Sequence, residues 1–241
     1  SKKINRAIKW VAERSESFLT DIHGRDHVTH AELAVTNDGK FLGFKNETIA
    51  NLGAYARVFG TVTPTYLFGP CATGVYEIPA AYSNVKAVFT NTAPVDAYRG
   101  AGRPEATYTI ERLVEKASME LGIDKTELRM KNFPTAFPFK QTLVHTVDSG
   151  DYVAGMEKAK QMADYSGFEA RRKDSASKGK LRGIGVSSYF EACGIAPSAA
   201  VMSLGCGVGL WESAEVRFNP TGQVTVYTGS HSHGQSHQTT F

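Results

Sequence analysis

Apolar and polar residues alternate along "HAELAV" and again along "KFLGFKNETIA", on either side of Asn37-Asp38-Gly39. A period of two marks strands with one buried face, and glycine supplies the positive φ that a tight reversal needs, so residues 30–50 are expected to form a β-hairpin. "VKAVFTN" reads as a further strand. The period then lengthens. Ile110, Leu113, Val114, Ala117 and Leu121 share one helical face, with Pro104 suited to the first turn and Gly122 placed to end the helix. Asp124, followed three residues on by Glu127, resembles a capping box for a second helix, "KTELRMKNF". A third helix is expected from Asp151 to about Tyr165, started by Ser149 or Asp148.

Strand character returns in "LRGIGVSSYFEA", followed by the glycine-rich "LGCGVGL". "ESAEVRFNPTGQVTVYTG" predicts a second hairpin around Asn219-Pro220-Thr221-Gly222. At the other end, "IKWVAER" looks like a strand and "SESFLTDIHGRDH" like a polar connection. Residues 51–83 have no clean period and read as loops and short elements. The fold class expected is α+β, with mixed sheets, hairpins and packed helices. It divides into a first unit at 1–147, a helix and basic connector at 148–180, and the start of a second unit at 181–241. An isolated hairpin is marginal in water, so the second unit is expected to need more chain, and the first begins abruptly in a strand.

Composition narrows the function classes. The 241 residues are 41% hydrophobic and 21% charged, as in ordinary globular proteins, with a formal net charge of +3. That charge is too small and dispersed to point to nucleic acid, and "RRKDSASKGK" at 171–180 lacks interleaved aromatic residues, so it reads as a solvated connector. No apolar run approaches the roughly 18 residues that span a bilayer. Cys71, Cys193 and Cys206 lie far apart with no C-x-x-C, which predicts a reducing, cytoplasmic setting.

Two stretches share one plan, in which a strand runs into a glycine-containing loop and then a helix start. They are "AVFTNTAPVDAYRGAGRPEATYTIERL" and "VTVYTGSHSHGQSHQTTF". Such loops present free backbone N–H groups at a helix N-terminus, which favours anionic or polar ligand groups. Gly100, Gly102 and Gly234 permit close approach to a ligand. Arg99 and Arg103 offer charge-assisted hydrogen bonds, and Gln235 offers donors and an acceptor on one planar group. His231, His233 and His237, in the pattern H-x-H-x3-H, fit a metal site, a pocket lining or a self-bonded loop. Asp and Glu are absent from 216–241, so the metal reading has no carboxylate nearby. Serine hydrolysis lacks a G-x-S-x-G elbow. Cys193, near Glu191, has no basic neighbour in sequence to activate its thiol.

Taken together, "AYRGAGRPEATYTIERLVEKASMELGIDKTELRMKNF", "YFEACGIAPS" and "ESAEVRFNPTGQVTVYTGSHSHGQSHQTTF" resemble the molybdenum-binding large subunit of the xanthine dehydrogenase, aldehyde oxidase and aerobic carbon monoxide dehydrogenase family. The similarity runs over essentially the whole chain and is strongest to the carbon monoxide dehydrogenase-like large chains. The resemblance implies part of a two-part molybdopterin-binding domain. Its activity would be hydroxylation of an aldehyde, an N-heterocycle or carbon monoxide, with water as the oxygen source. It also implies molybdenum held by molybdopterin, with the cytosine dinucleotide among its forms, and electron transfer through iron–sulfur and flavin partners. Tyr98, Arg99, Gly100 and Ala101 would line the molybdenum pocket, and His233, Gly234 and Gln235 would contact pterin and metal ligands.

Three departures qualify that expectation. Aerobic carbon monoxide dehydrogenases carry a cysteine where this chain has Gly100. The family's "GQGHET" appears as "GQSHQT", with Ser236 for glycine and Gln238 for glutamate. The family's "GGGFG" loop and its general-base glutamate are not in these residues, so the 241 residues alone are expected to be inactive and to bind cofactor weakly or not at all. The competing expectations are a scaffold that keeps the fold without the chemistry, and a histidine-rich metal-binding protein.

Overall fold

The computed structural model describes residues 1–191, 198–203, 205, 212–232 and 234–241. The chain parts into two compact units, Ser1–Glu191 and Ala192–Phe241.

In the first unit, helix α1 (Arg14–Thr20) buries none of its residues. Strands β1 (His27–Val35) and β2 (Phe41–Gly53) pair antiparallel, and β3 (Ala81–Phe89) joins β2 in parallel to give the order β1-β2-β3. The hairpin expected from the alternating pattern is present. Gly39 turns at φ +89°, and Thr36 and Lys40 close the reversal through their backbones. β2 is the central strand, and Phe41, Phe44, Asn46, Thr48, Ala50 and Leu52 on it are buried.

Helix α2 (Arg103–Leu121) covers the sheet and ends at Gly122, which is left-handed at φ +66°. Its buried positions are Ala106, Ile110, Val114 and Ser118, together with Arg103 and Glu111. The expected face is therefore rotated slightly, leaving Leu113, Ala117 and Leu121 half-buried, because Glu111 turns inward to meet Arg129 of helix α3 (Lys125–Lys131). Asp124 caps α3 as its spacing predicts, accepting from the backbone N–H of Thr126 and Glu127. Asn132 then ties α3 to the hairpin. Its amide donates to the Gly39 carbonyl at 2.8 Å, and its oxygen accepts from Phe41 N–H at 2.8 Å.

The short pair β4 (Phe139–Lys140) and β5 (Thr146–Val147) precedes α4 (Tyr152–Met162), capped by Asp151, and α5 (Phe168–Ser177). The basic stretch is thus helical as far as Ser177, not a plain connector. Ion pairs one turn apart hold it, Arg172 to Glu169 at 2.7 Å and Lys178 to Asp174 at 2.8 Å.

Two further expectations change, and the irregular residues 54–80 keep theirs while adding to the core. "IKWVAER" has no neighbouring strand among the described residues and is not a strand; Trp10 and Val11 stand exposed, and α1 takes up the polar stretch after them. Residues 54–80 contain only a π-turn at Thr63–Leu67 and a 3-10 turn at Gly69–Cys71, yet Phe68, Cys71, Ala72, Val75, Tyr76 and Ile78 are core residues. Residues 184–191 alternate between half-buried and exposed like a strand, but side chains serve their carbonyls: Lys125 Nζ donates to Ile184 O at 3.4 Å and Arg129 to Val186 O at 3.1 Å. They pack with the first unit.

In the second unit, α6 (Ser198–Ser203) precedes the expected hairpin of β6 (Ala214–Phe218) and β7 (Val224–Thr228), reversed at Gly222 with φ +84°. Helix α7 (His237–Thr240) is one turn long. Most of "YFEACGIAPS" and "LGCGVGL", with Cys193 and Cys206, lies outside the described residues. Among the described residues no helix is long and apolar enough to cross a membrane.

Candidate functional site

After β3 the chain turns through Thr90–Pro94, and a sharp loop then delivers it into α2. Gly100, Ala101 and Gly102 have φ of +90°, +41° and +89° in succession. Ala101 N–H donates to the Tyr98 carbonyl at 2.7 Å, and Arg103 N–H to Gly100 O at 3.3 Å. Gly102 is buried because the backbone of the π-turn presses on it: a Cβ there would lie 2.4 Å from Thr63 O and 2.8 Å from Phe68 N. The turn leaves the amides of Gly100 and Gly102 with no acceptor among the described residues. Both amides stand at the N-terminus of a helix of 19 residues, where the helix dipole adds partial positive charge.

Tyr98 and Arg99 project from this loop. Tyr98 is 63% exposed, and the exposed Arg99 side chain has no hydrogen bond or ion pair with any described residue. Arg103 differs. Its side chain is 11% exposed and lies 3.8 Å from Glu191 Oε1, so it supports the loop from beneath and is not a second free cation. Nearby, His145 Nε2 stands 3.8 Å from Cys71 Sγ.

Nothing in the sequence pattern singles out Arg25, His27 or Glu105, yet all three border this loop. The Arg25 guanidinium lies over the Tyr98 ring at 4.7 Å, donates to the Arg99 carbonyl, and has Nε 3.7 Å from Glu105 Oε2. A cavity of about 440 Å³ opens between Arg25, His27, Thr29, Pro104, Glu105 and Tyr108. The one local signal was Gly24 beside a polar run, where a Cβ would meet Tyr98 Cβ at 2.6 Å.

Burial holds His27 below the usual histidine range against the opposing pull of Glu105 and Asp26, and burial followed by Arg103 does the same to His145. Both rings are therefore more readily protonated in the unfolded chain, whose histidines titrate near 6.5. The stability this confers is present above that value and is lost as pH falls through the lower folded values. Urea midpoints are expected to decline from pH 7 downward. The decline should shrink in a His27→Gln, His145→Gln double variant, and an unchanged slope there would discard the assignment.

The second candidate loop stands in the other unit. His233 lies outside the described residues. Gly234 has φ +88° with open space where a Cβ would be. The Gln235 amide donates to His231 O at 2.8 Å, and His237 Nε2 lies 3.2 Å from the same carbonyl. His231 and His237 thus meet through a main-chain oxygen, and no group of three or more metal-ligating side chains occurs among the described residues. Ser236 adopts φ +65° at the start of α7, a left-handed position where glycine would be free of strain.

Models of the molybdopterin cofactor-binding domain match residues 1–133 and 158–241. This chain belongs to the molybdopterin cofactor-binding domain family. Its relatives place it with the molybdenum-binding large subunits of the xanthine dehydrogenase family. The carbon monoxide dehydrogenase large chain of Hydrogenophaga pseudoflava is 39% identical over 99% of this chain and 30% of its own length. The 6-hydroxypseudooxynicotine dehydrogenase complex subunit gamma of Paenarthrobacter nicotinovorans is 35% identical over 96% of this chain and 28% of its own. Among solved structures, quinoline 2-oxidoreductase from Pseudomonas putida 86 superimposes with a TM-score of 0.86 at 32% identity, covering 99% of this chain and 30% of that one. The chain therefore spans about 30% of the length of the relatives it matches.

The donor set of the Tyr98–Gly102 loop suits a molybdopterin. An unpaired guanidinium and two unpaired amides at a helix N-terminus match a cofactor rich in phosphate and polar heterocycle edges. In the second loop, Gly234 leaves its backbone open to such a group, while Gln235 is already bonded within the loop.

Proposed function

We propose that these residues form part of the large subunit of a molybdenum hydroxylase acting on an N-heterocycle or an aldehyde. The observation that carries this reading is the exposed, unpaired Arg99 on a loop whose free amides face the start of α2. In the reaction, R–H and water give R–OH with two protons and two electrons, and the electrons leave through iron–sulfur and flavin partners. A bound molybdopterin supplies the redox centre for that transfer. The chain's own residues bind and orient. Arg99 attracts an anionic or polar oxygen, Tyr98 offers an aromatic edge, and Gly100 and Gly102 set the backbone so that their N–H groups stay free.

Position 100 bears on the substrate. Gly100 provides no thiol, and a Cβ there would lie 2.5 Å from Pro104 Cγ at a φ of +90°, so the loop is built for glycine. This supports a heterocycle or aldehyde over carbon monoxide. The likeness to quinoline 2-oxidoreductase and to the 6-hydroxypseudooxynicotine dehydrogenase subunit points the same way. The Gln235–His231 bond favours a second reading, a scaffold that keeps the fold without the chemistry.

Molybdenum and pterin analysis of the native full-length polypeptide separates the two readings. One equivalent of each is expected, and their absence supports the scaffold. Residues 1–241 expressed alone are expected to retain neither in stoichiometric amount. In the loaded protein, Arg99→Met is expected to lower kcat/KM by about 10²–10³-fold, the usual loss for one positioned donor. An unchanged kcat/KM would remove Arg99 from the site.

A further inference from the structure

We propose that Arg25 is a positioning residue, which clamps the Tyr98–Ala101 loop in the conformation that presents Arg99. Its consequence for turnover rests on the hydroxylase reading above; the clamp itself rests on geometry.

Three contacts converge on this one side chain. The guanidinium donates to the carbonyl of Arg99, 74 residues away in sequence. Its flat face covers the Tyr98 ring at 4.7 Å, within the range of a cation–π contact. Its Nε lies 3.7 Å from Glu105 Oε2, in the first turn of α2. The Glu105 side chain is only 10% exposed, and Oε2 has no hydrogen-bond partner among the described residues, so Arg25 faces a largely buried carboxylate. Arg25 therefore touches the loop before, within and after its turn, which only a planar, multi-donor group can do at once.

The backbone under Arg25 is set for the task. Arg25 has φ +59°, a left-handed conformation unusual for a residue with a side chain. Such strain persists where surrounding contacts over-determine it, and here they do. His23 N–H donates to Pro94 O at 3.0 Å, and Asp96 N–H returns to His23 O at 2.8 Å. Asp26 O accepts from Asn51 N–H at 2.9 Å, while its carboxylate accepts from the Asn51 amide at 2.7 Å. Gly24 fits against Tyr98 with no room for a side chain. The segment 23–26 is thus locked to the strand end on both sides of Arg25, and the strained residue aims its fork at the loop.

The loop needs such a clamp. Its own closure consists of the Ala101-to-Tyr98 and Arg103-to-Gly100 backbone bonds, and its first two side chains stand in solvent. Without Arg25 the Arg99 carbonyl loses its donor and the Tyr98 ring loses the cation over its face. A displacement of about 1 Å at a positioned group can lower turnover by about a hundredfold.

The test compares the native full-length polypeptide with Arg25→Gln and Arg25→Lys by hydrogen exchange and by steady-state kinetics. In Arg25→Gln, exchange of the hydrogen-bonded Ala101 and Arg103 amides is expected to rise about tenfold or more, with those of Ile110, Val114 and Ser118 in α2 unchanged. Arg25→Lys keeps the charge facing Glu105 but loses the fork, so it should fall between wild type and Arg25→Gln. The kinetic loss should lie in kcat, by about tenfold or more, with KM within about twofold, because Arg25 acts through the loop. Loop exchange equal to wild type overturns the clamp, as does a rise spread equally over α2. A loosened loop with kcat retained overturns the positioning role. Loosening in Arg25→Gln alongside a wild-type protein that lacks hydroxylase activity leaves the clamp standing and overturns the hydroxylase reading.

Discussion

Replacing Arg129 with methionine is expected to lower stability by about 3–5 kcal/mol, the usual cost of leaving a buried charge without its partner. The Arg129 side chain has no exposed surface. Its Nε donates to Glu111 Oε2 at 3.0 Å, with another terminal nitrogen 2.9 Å from the same oxygen. It also donates to Lys125 O at 2.9 Å and to Val186 O at 3.1 Å. The other oxygen of Glu111 accepts from the Tyr76 hydroxyl. Burial and the Glu111 carboxylate push the Tyr76 phenol well above its usual range, so it stays a neutral donor. Burial works to lower the Arg129 value, yet the Glu111 and Glu115 carboxylates hold it above its usual range. Arg129→Met strands the Glu111 carboxylate in the core beneath α2, the helix that carries the candidate loop. Adding Glu111→Met removes the stranded charge, and the double variant should recover most of the loss. Urea unfolding of the four members of this cycle measures the coupling. A single-variant loss under about 1 kcal/mol would mean that the pair behaves like an exposed one.

The legible parts of this fold are those specified by neighbours in sequence. Gly39 and Gly222 sit at reversals between alternating strands, Gly122 ends α2, and Asp124 caps α3, each through chemistry within four residues. The core contributed by residues 54–80 was not legible. Phe68, Tyr76 and Ile78 are buried from irregular turns, where neither a period of two nor one of 3.6 applies. "IKWVAER" misled because β-branched and aromatic residues satisfy strand propensity, while a strand also needs a ladder. Residues 184–191 carry the strand alternation without the ladder because Lys125 and Arg129 supply donors from side chains. At the candidate site, the glycines and Arg99 could be picked out because strand, glycine loop and helix start are contiguous. Arg25 could not, since its role depends on a meeting across 74 residues. Arg103 looks equivalent to Arg99 in sequence, because sequence does not show that its side chain lies near Glu191.

Gly102→Ala is expected to be more damaging than any other glycine-to-alanine change at the ends of α2. Two effects coincide there. The residue stands at φ +89°, and its Cβ would fall 2.4 Å from Thr63 O, 2.8 Å from Phe68 N and 2.9 Å from Leu67 C. All three are backbone atoms of the turn that lies against the start of the helix, so no side-chain rotation relieves the contact. Gly122, at the other end of α2, isolates the first effect: it stands at φ +66° with nothing within 4 Å of a Cβ. Gly122→Ala should therefore cost about 1–2 kcal/mol, the penalty of a left-handed L-residue. Gly102→Ala should add the cost of displacing the turn and reach about 4 kcal/mol or more, the range reserved for strain at special positions. The two variants also separate fold from site. Gly122→Ala should leave molybdenum and pterin content at the wild-type level. Gly102→Ala moves the Gly100–Arg103 turn itself, so whatever folded protein it yields should bind the cofactor weakly. Equal losses of stability in the two variants would show that the turn yields freely, and the Tyr98–Gly102 loop would then lack the rigid backing that keeps its amides unpaired.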